Sequence, residues 1–392
     1  MWRNIAANFM TFLIVLLIAA AVVVTWGRNQ YAGPGPSAVA QCVTVPQGAS
    51  LKAVASRLVE QGAVSSAYIF STGADYDGKA GQLKYGSYLV PPNASMRDIA
   101  NVITAGGPST CGVEVTYRVG VRENAVVLRD INPANGQYEE RVKYNPVTEP
   151  APEAIVQAVA QPGARLRVAL AEGVTSWQVV EGLKTATFMS GEVPKVPPEG
   201  SLAPDTYIVT EGSDRQKLLS EMETRQTQIL DAAWADREAD LPYASPEEAL
   251  VMASIVEKET GVPNERAEVA AVFVNRLRDG MRLQTDPTVI YGVTQGKGIL
   301  DRGLRRSELV ARTPFNTYVI EGLPPTPIAN PGRLAIEAAL HPAQSEYKFF
   351  VADGSGGHAF ARTLEEHNAN VARWREIERA RGQSTDSPVQ SN

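Results

Sequence analysis

An uninterrupted apolar run near the N-terminus constrains this chain of 392 residues more than any other feature. The 18 residues from Phe9 to Trp26 carry no charge. As a helix they would reach about 27 Å, close to the thickness of the hydrocarbon core of a bilayer. The run therefore predicts a single N-terminal transmembrane helix within residues 1–28, with a soluble body after it.

The residues around this run bear on its cleavage and its orientation. Small residues at Ala19 to Ala21 could form the cleavage site of a signal peptide, but Val22 to Val24 continue the apolar run beyond it. This continuation favours an uncleaved anchor. Arg3 and Arg28 flank the run on opposite sides, so basic residues do not decide which side the body faces. Residues 29–42 contain several Gly, Pro, Ser and Ala residues and predict a flexible linker.

Composition excludes some classes of protein. With 44% hydrophobic and 20% charged residues the chain is typical of a globular protein. Its 37 basic and 43 acidic residues give a net charge of −6, so we expect no nucleic-acid partner. The two cysteines, Cys42 and Cys111, are too few for a structural zinc site. They could pair across a loop of about 70 residues or remain separate buried thiols.

Residues 43–112 have the pattern of a small α/β module. Strands are predicted at Val43–Val45 and Tyr85–Val90, and helices at Leu51–Glu60 and Ser95–Ile103. The order strand, helix, strand, helix resembles the LysM-like domain, which binds glycan. A spacer domain without a ligand is the alternative.

Residues 113–195 are predicted to be a β-rich connecting region. Val113–Val119 and Arg165–Leu170 have the pattern of strands, and Ser176–Leu183 that of a short helix beginning at Ser176. Between them, near residues 120–160, the stretch Pro133–Pro152 has no clear periodicity and predicts an irregular insertion. The fold class is therefore α+β, with a larger α+β catalytic domain at residues 196–378 and a disordered tail at 379–392.

One predicted helix carries a candidate catalytic residue. Ser245 is followed by Pro246 and two glutamates, the signature of a helix N-terminus, and the helix is expected to reach Thr260. Helical periodicity places Glu259 on the apolar face of this helix and Glu257 roughly opposite. Burial would raise the pKa of Glu259 towards the range of a general acid. A salt bridge from Glu259 to Arg276 or Arg282 is the alternative.

A second helix is predicted from Asn264 to Gly280, followed by a polar loop at Met281–Thr288. Loops beside a buried carboxylate often carry binding groups. The histidines His341, His358 and His367 lack the spacing of zinc ligands, so no metal or cofactor is expected.

The motifs of the C-terminal half resemble the YceG-like family of endolytic murein transglycosylases. They lie at Gly200–Tyr207, Met252–Thr260, Val274–Leu277, Met281–Gly292, Thr313–Tyr318, Gly322–Pro325, Ile328–Gly332, His341–Pro342, Phe350–Gly354, Gly357–Phe360 and Glu366–Asn368. The longer insertion near residues 120–160 departs from the family pattern.

This resemblance implies a single-pass protein of the bacterial inner (cytoplasmic) membrane with its body on the periplasmic or cell-wall side. It implies cleavage of the bond between N-acetylmuramic acid and N-acetylglucosamine within nascent peptidoglycan glycan strands, ending their elongation. Partners would be those glycan strands and possible cell-wall synthases. By resemblance the catalytic acid/base is Glu259, which periodicity had placed on the apolar face.

The hypothesis for the mechanism uses one carboxyl group. Glu259 would protonate the glycosidic oxygen, the acetamido group of the substrate would stabilise C1, and Glu259 would then deprotonate the C6 hydroxyl to give a 1,6-anhydro end. The candidates for orienting the sugar are polar residues of two of the motifs: Gln284, Thr285, Asp286, Asn316 and Tyr318.

Three alternatives differ in their chemistry. Asp286 could activate a water molecule, which would make the protein a hydrolytic muramidase with reducing-end products. A membrane-tethered glycan-binding scaffold would bind glycan without cleaving it. A zinc amidase built on the histidines would lose activity with a chelator.

Overall fold

The structure is a computed structural model that describes residues 2–106, 110–132, 135, 137–161 and 163–380, with the backbone alone for residues 2–8. It is a mixed α+β protein with one N-terminal apolar helix. The helices are α1 Trp2–Ala32, α2 Leu51–Glu60, α3 Ala67–Tyr76, α4 Met96–Ala105, α5 Glu153–Val159, α6 Ser176–Lys184, α7 Arg215–Ala235, α8 Pro246–Glu259, α9 Arg266–Arg278, α10 Asp286–Thr294, α11 Arg306–Leu309, α12 Arg333–Leu340 and α13 Leu364–Ala380. The strands are β1 Gln41–Val45, β2 Gly86–Val90, β3 Glu114–Val119, β4 Ala125–Ile131, β5 Tyr138–Tyr144, β6 Arg165–Leu170, β7 Met189–Ser190, β8 Thr206–Val209, β9 Ser213–Asp214, β10 Phe349–Ala352 and β11 His358–Ala361.

Helix α1 contains the predicted apolar run. Its segment Phe9–Ala32 has 24 residues and a mean hydropathy of 2.7. That length and composition suffice to cross a bilayer, and an N-terminal signal sequence has the same properties. The C-terminal end of α1 packs on α3, where Tyr31 is only 4% exposed and its ring lies against Gly73.

The stretch after α1 differs from the predicted flexible linker at 29–42. Its first residues continue helix α1 and its last two belong to β1. Between them, Gly35 N donates to Asn93 O at 3.1 Å, and Asn93 N donates to Ser37 O at 2.7 Å. These backbone bonds attach the segment to the turn before α4, so composition alone gave the wrong picture.

By contacts the chain divides into two compact units, and the first takes its residues from 1–115, 127–143 and 151–166. Strands β1 and β2 pair antiparallel, with Val43 opposite Tyr88. Helix α2 has the predicted bounds, whereas α3 was not predicted; only Phe70 and Ala74 of its hydrophobic residues are buried. Cys42 and Cys111 form a disulfide with Cα atoms 5.7 Å apart, which settles the question of their pairing.

The middle of the chain is more regular than predicted. The sheet order is β5-β4-β3-β6-β8, and β4, β5 and α5 lie where the sequence predicted an irregular insertion. Most residues of β5 are charged or polar and partly exposed, so this strand has little alternation of apolar residues to detect. Its pairing with β4 decides its conformation.

The second unit takes its residues from 116–126, 144–150 and 167–392, and α8 lies in its core. Ser245 caps α8 as predicted, its Oγ accepting from Glu248 N at 3.3 Å. All residues from Ala249 to Val256 are buried, so α8 is enclosed on every face instead of being apolar on one face only.

Several predicted ends of elements were wrong. Helix α6 begins at Ser176 as predicted, but Thr175 is its N-cap and it ends at Lys184, one residue beyond the predicted end. Asn264 lies in a 3-10 turn at Pro263–Glu265, and α9 begins after it. Helix α10 begins at Asp286, inside the loop predicted at Met281–Thr288.

The last part of the chain contains a β-hairpin and helix α13, which extends into the predicted tail. The Gly-rich turn at Gly354–Gly357 joins β10 to β11. Of the tail predicted as disordered, residues 379–380 end α13, and 381–392 lie outside the described residues.

Candidate active site

Glu259 is the last residue of α8, where the chain leaves the helix. Thr260 caps the helix with extended backbone and donates its N–H to Val256 O at 3.2 Å. The side chain of Glu259 is half-buried, and its Oε1 accepts a hydrogen bond from the hydroxyl of Thr285. The buried helix therefore presents one carboxyl group to the segment that precedes α10.

A network of threonines fixes the position of Thr285. Thr285 N donates to the hydroxyl of Thr317 at 3.0 Å, and the hydroxyls of Thr288 and Thr317 lie 2.9 Å apart. Gln284 adopts a left-handed conformation with φ 55° and donates its N–H to Thr317 O at 3.1 Å. Because all three threonines are buried, the donor to Glu259 is held by bonds that water does not reach.

The surroundings of Glu259 favour its neutral form. Burial raises the pKa of Glu259 to about 8, and the charge of Asp286 raises it as well. The hydrogen bond from Thr285 and the charge of Arg276 act in the opposite direction. A carboxyl group with this pKa is protonated near neutral pH and can donate a proton.

The salt bridge considered for Glu259 is not found among the described residues. Arg276 donates from Nε to Lys348 O at 2.6 Å and from Nη1 to Leu283 O at 2.7 Å. Arg282 donates from Nη1 to Tyr318 O at 3.2 Å. Both guanidinium groups therefore hold backbone carbonyl groups.

A second carboxyl group lies beside the first. Asp286 is the first residue of α10, and its Oδ1 accepts a hydrogen bond of 2.7 Å from the hydroxyl of Tyr318. Burial raises the pKa of Asp286, and this bond from Tyr318 lowers it. Asp286 directly follows Thr285, the donor to Glu259, so both carboxyl groups belong to one site.

The other two predicted site residues have different surroundings. Asn316 is fully buried, and its amide nitrogen donates to the carbonyl groups of Glu308, Leu309 and Ala311. Its Oδ1 accepts from Tyr318 N at 3.1 Å, so Asn316 fixes the loop that carries Tyr318. Gln284 is exposed, and its Oε1 accepts from Arg276 at 3.3 Å.

Sequence reasoning missed the role of Glu257. Its Oε2 accepts a hydrogen bond from Gly332 N at 2.9 Å, and its Oε1 lies 3.7 Å from the buried Arg266. Burial raises the pKa of Glu257. Glu257 lies two positions before Glu259 on the helix, so its side chain points to a different side. Because α8 is buried all round, that side is also inside the protein.

The residues described by the structure contain no group of three or more His, Cys, Asp or Glu side chains that could hold a metal ion.

A sequence model of the YceG-like family matches residues 43–132 and 142–373. The chain belongs to the YceG-like family. The match covers both units and includes α8, α10 and the loop of Tyr318. Residues 133–141, which the model of the YceG-like family leaves out, lie within the stretch predicted as an insertion.

Two of the relatives that this chain resembles are named endolytic murein transglycosylases. The endolytic murein transglycosylase of Bacillus subtilis is 29% identical over 326 residues, covering 83% of this chain and 82% of the relative. That of Streptococcus pneumoniae strain R6 is 27% identical over 359 residues, covering 84% of this chain and 57% of the relative. A crystal structure of a YceG-like protein from Listeria monocytogenes aligns with a TM-score of 0.45 and 24% identity, covering 84% of this chain and 98% of that one.

Proposed function

We propose that this protein is an endolytic peptidoglycan lytic transglycosylase whose catalytic acid/base is Glu259. Membership of the YceG-like family and the names of its relatives support the reaction. The observation that carries the choice of residue is the half-buried Glu259 carboxyl, with a pKa raised to about 8 and a hydrogen bond from Thr285. The substrate is the bond between N-acetylmuramic acid and N-acetylglucosamine within nascent glycan strands.

The reaction uses Glu259 twice. In the first step its carboxyl proton passes to the glycosidic oxygen, the bond from that oxygen to C1 of the muramyl sugar breaks, and the N-acetylglucosamine side leaves as an alcohol. The oxygen of the substrate's acetamido group stabilises the positive C1. In the second step ionised Glu259 accepts the proton of the C6 hydroxyl, whose oxygen bonds to C1. A 1,6-anhydro-muramyl end forms, Glu259 is protonated again, and no water is consumed.

The hydrogen bond from Thr285 fits both steps. It stabilises the carboxylate that exists between the two proton transfers, while burial favours the carboxylic acid that begins and ends the cycle. A pKa near the working pH allows one group to give and to accept a proton.

The remaining site residues orient the sugar. Asp286 stabilises the positive charge that develops at C1, and Tyr318 holds its carboxylate in place. Gln284 offers its exposed amide to the substrate. Asn316 is a positioning residue that acts through the backbone of Tyr318.

Asp286 is also the observation that favours a second candidate, a hydrolytic muramidase. A carboxylate beside the general acid could activate a water molecule instead. The two candidates differ in their products, since hydrolysis leaves a reducing end and transglycosylation leaves an anhydro end.

We also propose a cellular location for the enzyme. Helix α1 would anchor the protein in the inner (cytoplasmic) membrane, with the body on the periplasmic or cell-wall side. The disulfide between Cys42 and Cys111 supports an oxidising compartment. The order β1-α2-α3-β2, with antiparallel strands, is compatible with the proposed LysM-like module. We propose that this module binds glycan and that cell-wall synthases are partners of the enzyme.

Digestion of purified murein by the full-length protein tests this function. The wild type and two variants of α8, Glu259→Gln and the exposed control Glu247→Gln, are incubated with murein, and mass spectrometry identifies the released ends. Anhydro-muramyl ends from the wild type and from Glu247→Gln, with a loss of at least about 100-fold in Glu259→Gln, support the proposal. Reducing ends support the muramidase, and glycan binding without cleavage by the wild type supports the scaffold.

A further inference from the structure

A cavity of about 580 Å³ lies within the second unit, beside the candidate active site. One wall is formed by Ile290 and Tyr291 of α10, another by Lys258 of α8, and the rest by the loop after α10 and by Arg122. None of these residues is used in the proposed chemistry, which leaves the cavity without an assigned role.

Two pairs of neighbouring residues connect this cavity to the site. Lys258, which lines the cavity, precedes Glu259, and Pro287, which also lines it, follows Asp286. The helix that carries the acid and the helix that begins with the second carboxyl group therefore both continue into the cavity wall. Along the chain, the cavity lining thus begins one residue away from each of the two carboxyl groups.

The charges of the cavity suit an anionic ligand. An ammonium group has three N–H donors, and among the described residues the Lys258 ammonium makes one hydrogen bond, of 3.3 Å to Gly173 O. Arg122 is exposed at the rim, whereas Arg302 is held by Glu308 through bonds of 2.6 and 2.9 Å. Among the described residues the lining contains one carboxylate, Asp301. Behind the lining, Glu199 accepts a hydrogen bond of 3.1 Å from Tyr291, and the charges of Glu257 and Glu199 act on Lys258. Burial lowers the pKa of Lys258, which reflects a cation with little solvation of its own.

The remaining lining is apolar. It contains Val121, Ile290, Ile299, Leu300 and Ile328. A neutral sugar chain would need neither the cations nor this apolar surface, whereas a short peptide with small side chains and carboxylates would use both.

We propose that this cavity binds the peptide that the muramyl sugar carries on its lactyl group, with Lys258 and Arg122 pairing with the peptide carboxylates. The inference rests on the proposed function, because it takes the sugar at Glu259 to be the muramyl sugar. It assigns Lys258, the central residue of the Glu257–Glu259 motif, to substrate recognition. The enzyme would then favour glycan strands that still bear peptides.

A matched pair of ligands tests the charge recognition directly. Muramyl-L-alanyl-D-glutamate carries a free carboxylate that its amide, muramyl-L-alanyl-D-isoglutamine, lacks, and neither has a glycosidic bond to cleave. Calorimetry with the full-length wild type should give about tenfold tighter binding of the acid, the effect of one charge-assisted hydrogen bond. Lys258→Met should remove this preference, and Arg122→Gln, at the exposed rim, should reduce it.

Lys297→Met is the control, since Lys297 lies in the same loop, is exposed and does not line the cavity. It should keep the preference of the wild type. Equal affinity of the wild type for both ligands would overturn the proposal, as would retention of the preference in both Lys258→Met and Arg122→Gln.

A comparison of substrates separates this inference from the proposed function. The wild type and Arg122→Gln are given glycan strands with peptides and strands from which an amidase has removed them. The wild type should have a higher kcat/KM for strands with peptides than for strands without them. In Arg122→Gln the ratio of these two kcat/KM values should be lower, by up to about tenfold. Equal use of both substrates by the wild type, with anhydro ends from each, would sink the peptide site and leave the function standing. No cleavage of either would instead contradict the function.

Discussion

The hydroxyl of Thr285 donates a hydrogen bond to the carboxylate of Glu259, joining the end of α8 to the residue before α10. This bond favours the ionised acid, while burial favours the neutral one. The balance between the two sets the pH range in which Glu259 can give up a proton and take one back.

The activity of the wild type should depend on pH through this balance. Because the first step needs protonated Glu259 and its pKa is about 8, kcat/KM should fall above about pH 8, by about tenfold for each further pH unit. Initial rates of murein cleavage measured between about pH 6 and pH 10 would show this alkaline decrease, the alkaline limb of the pH profile. A profile that stays flat well above pH 8 would contradict the assignment.

The substitution Thr285→Val should move the alkaline limb of the pH profile. Removing the hydroxyl removes a bond that lowers the pKa of Glu259, so the limb should shift to higher pH. We also expect kcat to fall about tenfold, because the carboxylate intermediate loses its donor. Thr285→Ser keeps the donor and serves as the control; a limb at the wild-type pH in the valine variant would refute the coupling.

Glu259→Gln should stabilise the folded protein at alkaline pH. Between the ordinary pKa of 4.5 and about 8 the folded chain keeps a proton that the unfolded chain has released, so the wild type loses stability as pH rises through this window. The glutamine variant does not titrate. In urea unfolding, the glutamine variant should have an unfolding free energy roughly 1–3 kcal/mol higher than the wild type near pH 8, and the same near pH 4.5. The expected gain is kept small because part of the Glu259 side chain reaches solvent, which weakens the electrostatic effect. A gain that is the same at both pH values would show that the folded pKa of Glu259 is not raised.

Reduction of the disulfide should weaken the first unit. Cys42 and Cys111 are 69 residues apart, and opening a loop of this size increases the entropy of the unfolded chain. We expect the double variant Cys42→Ser, Cys111→Ser to lose about 2–4 kcal/mol of unfolding free energy, measured with denaturant. A reductant should lower the stability of the wild type and leave the double variant unchanged. A wild type unaffected by reductant would contradict the bond.

Sequence periodicity predicted secondary structure best in elements that bury one regular face of apolar residues. Helix α2 has its predicted bounds and β6 matches Arg165–Leu170, because apolar residues on one face carry the signal. Strand β5 was missed because its partner β4, and not its own alternation, decides its conformation. The segment after α1 was read from Gly and Pro content, which is silent about the backbone bonds of Gly35 and Ser37 to Asn93.

The sequence predicted which residues belong to the candidate site, but only part of how they are arranged. Family resemblance and helical position both gave Glu259, yet its partner Thr285 depends on a fold that brings residues 26 positions apart together. Asn316 was selected as a polar residue in a motif, and the structure instead uses all of its amide bonds inside the loop. A sequence shows which side chains can bond, but not which bonds the backbone has already taken.

The central claim is that one carboxyl group, Glu259, cleaves the glycosidic bond without water. The most direct measurement is digestion of murein by the wild type in water enriched in heavy oxygen, with mass spectrometry of the muramyl ends. The proposed reaction predicts anhydro ends that contain no oxygen from the solvent. Reducing ends that carry one heavy oxygen atom each would contradict it and would assign the water-activating role to Asp286.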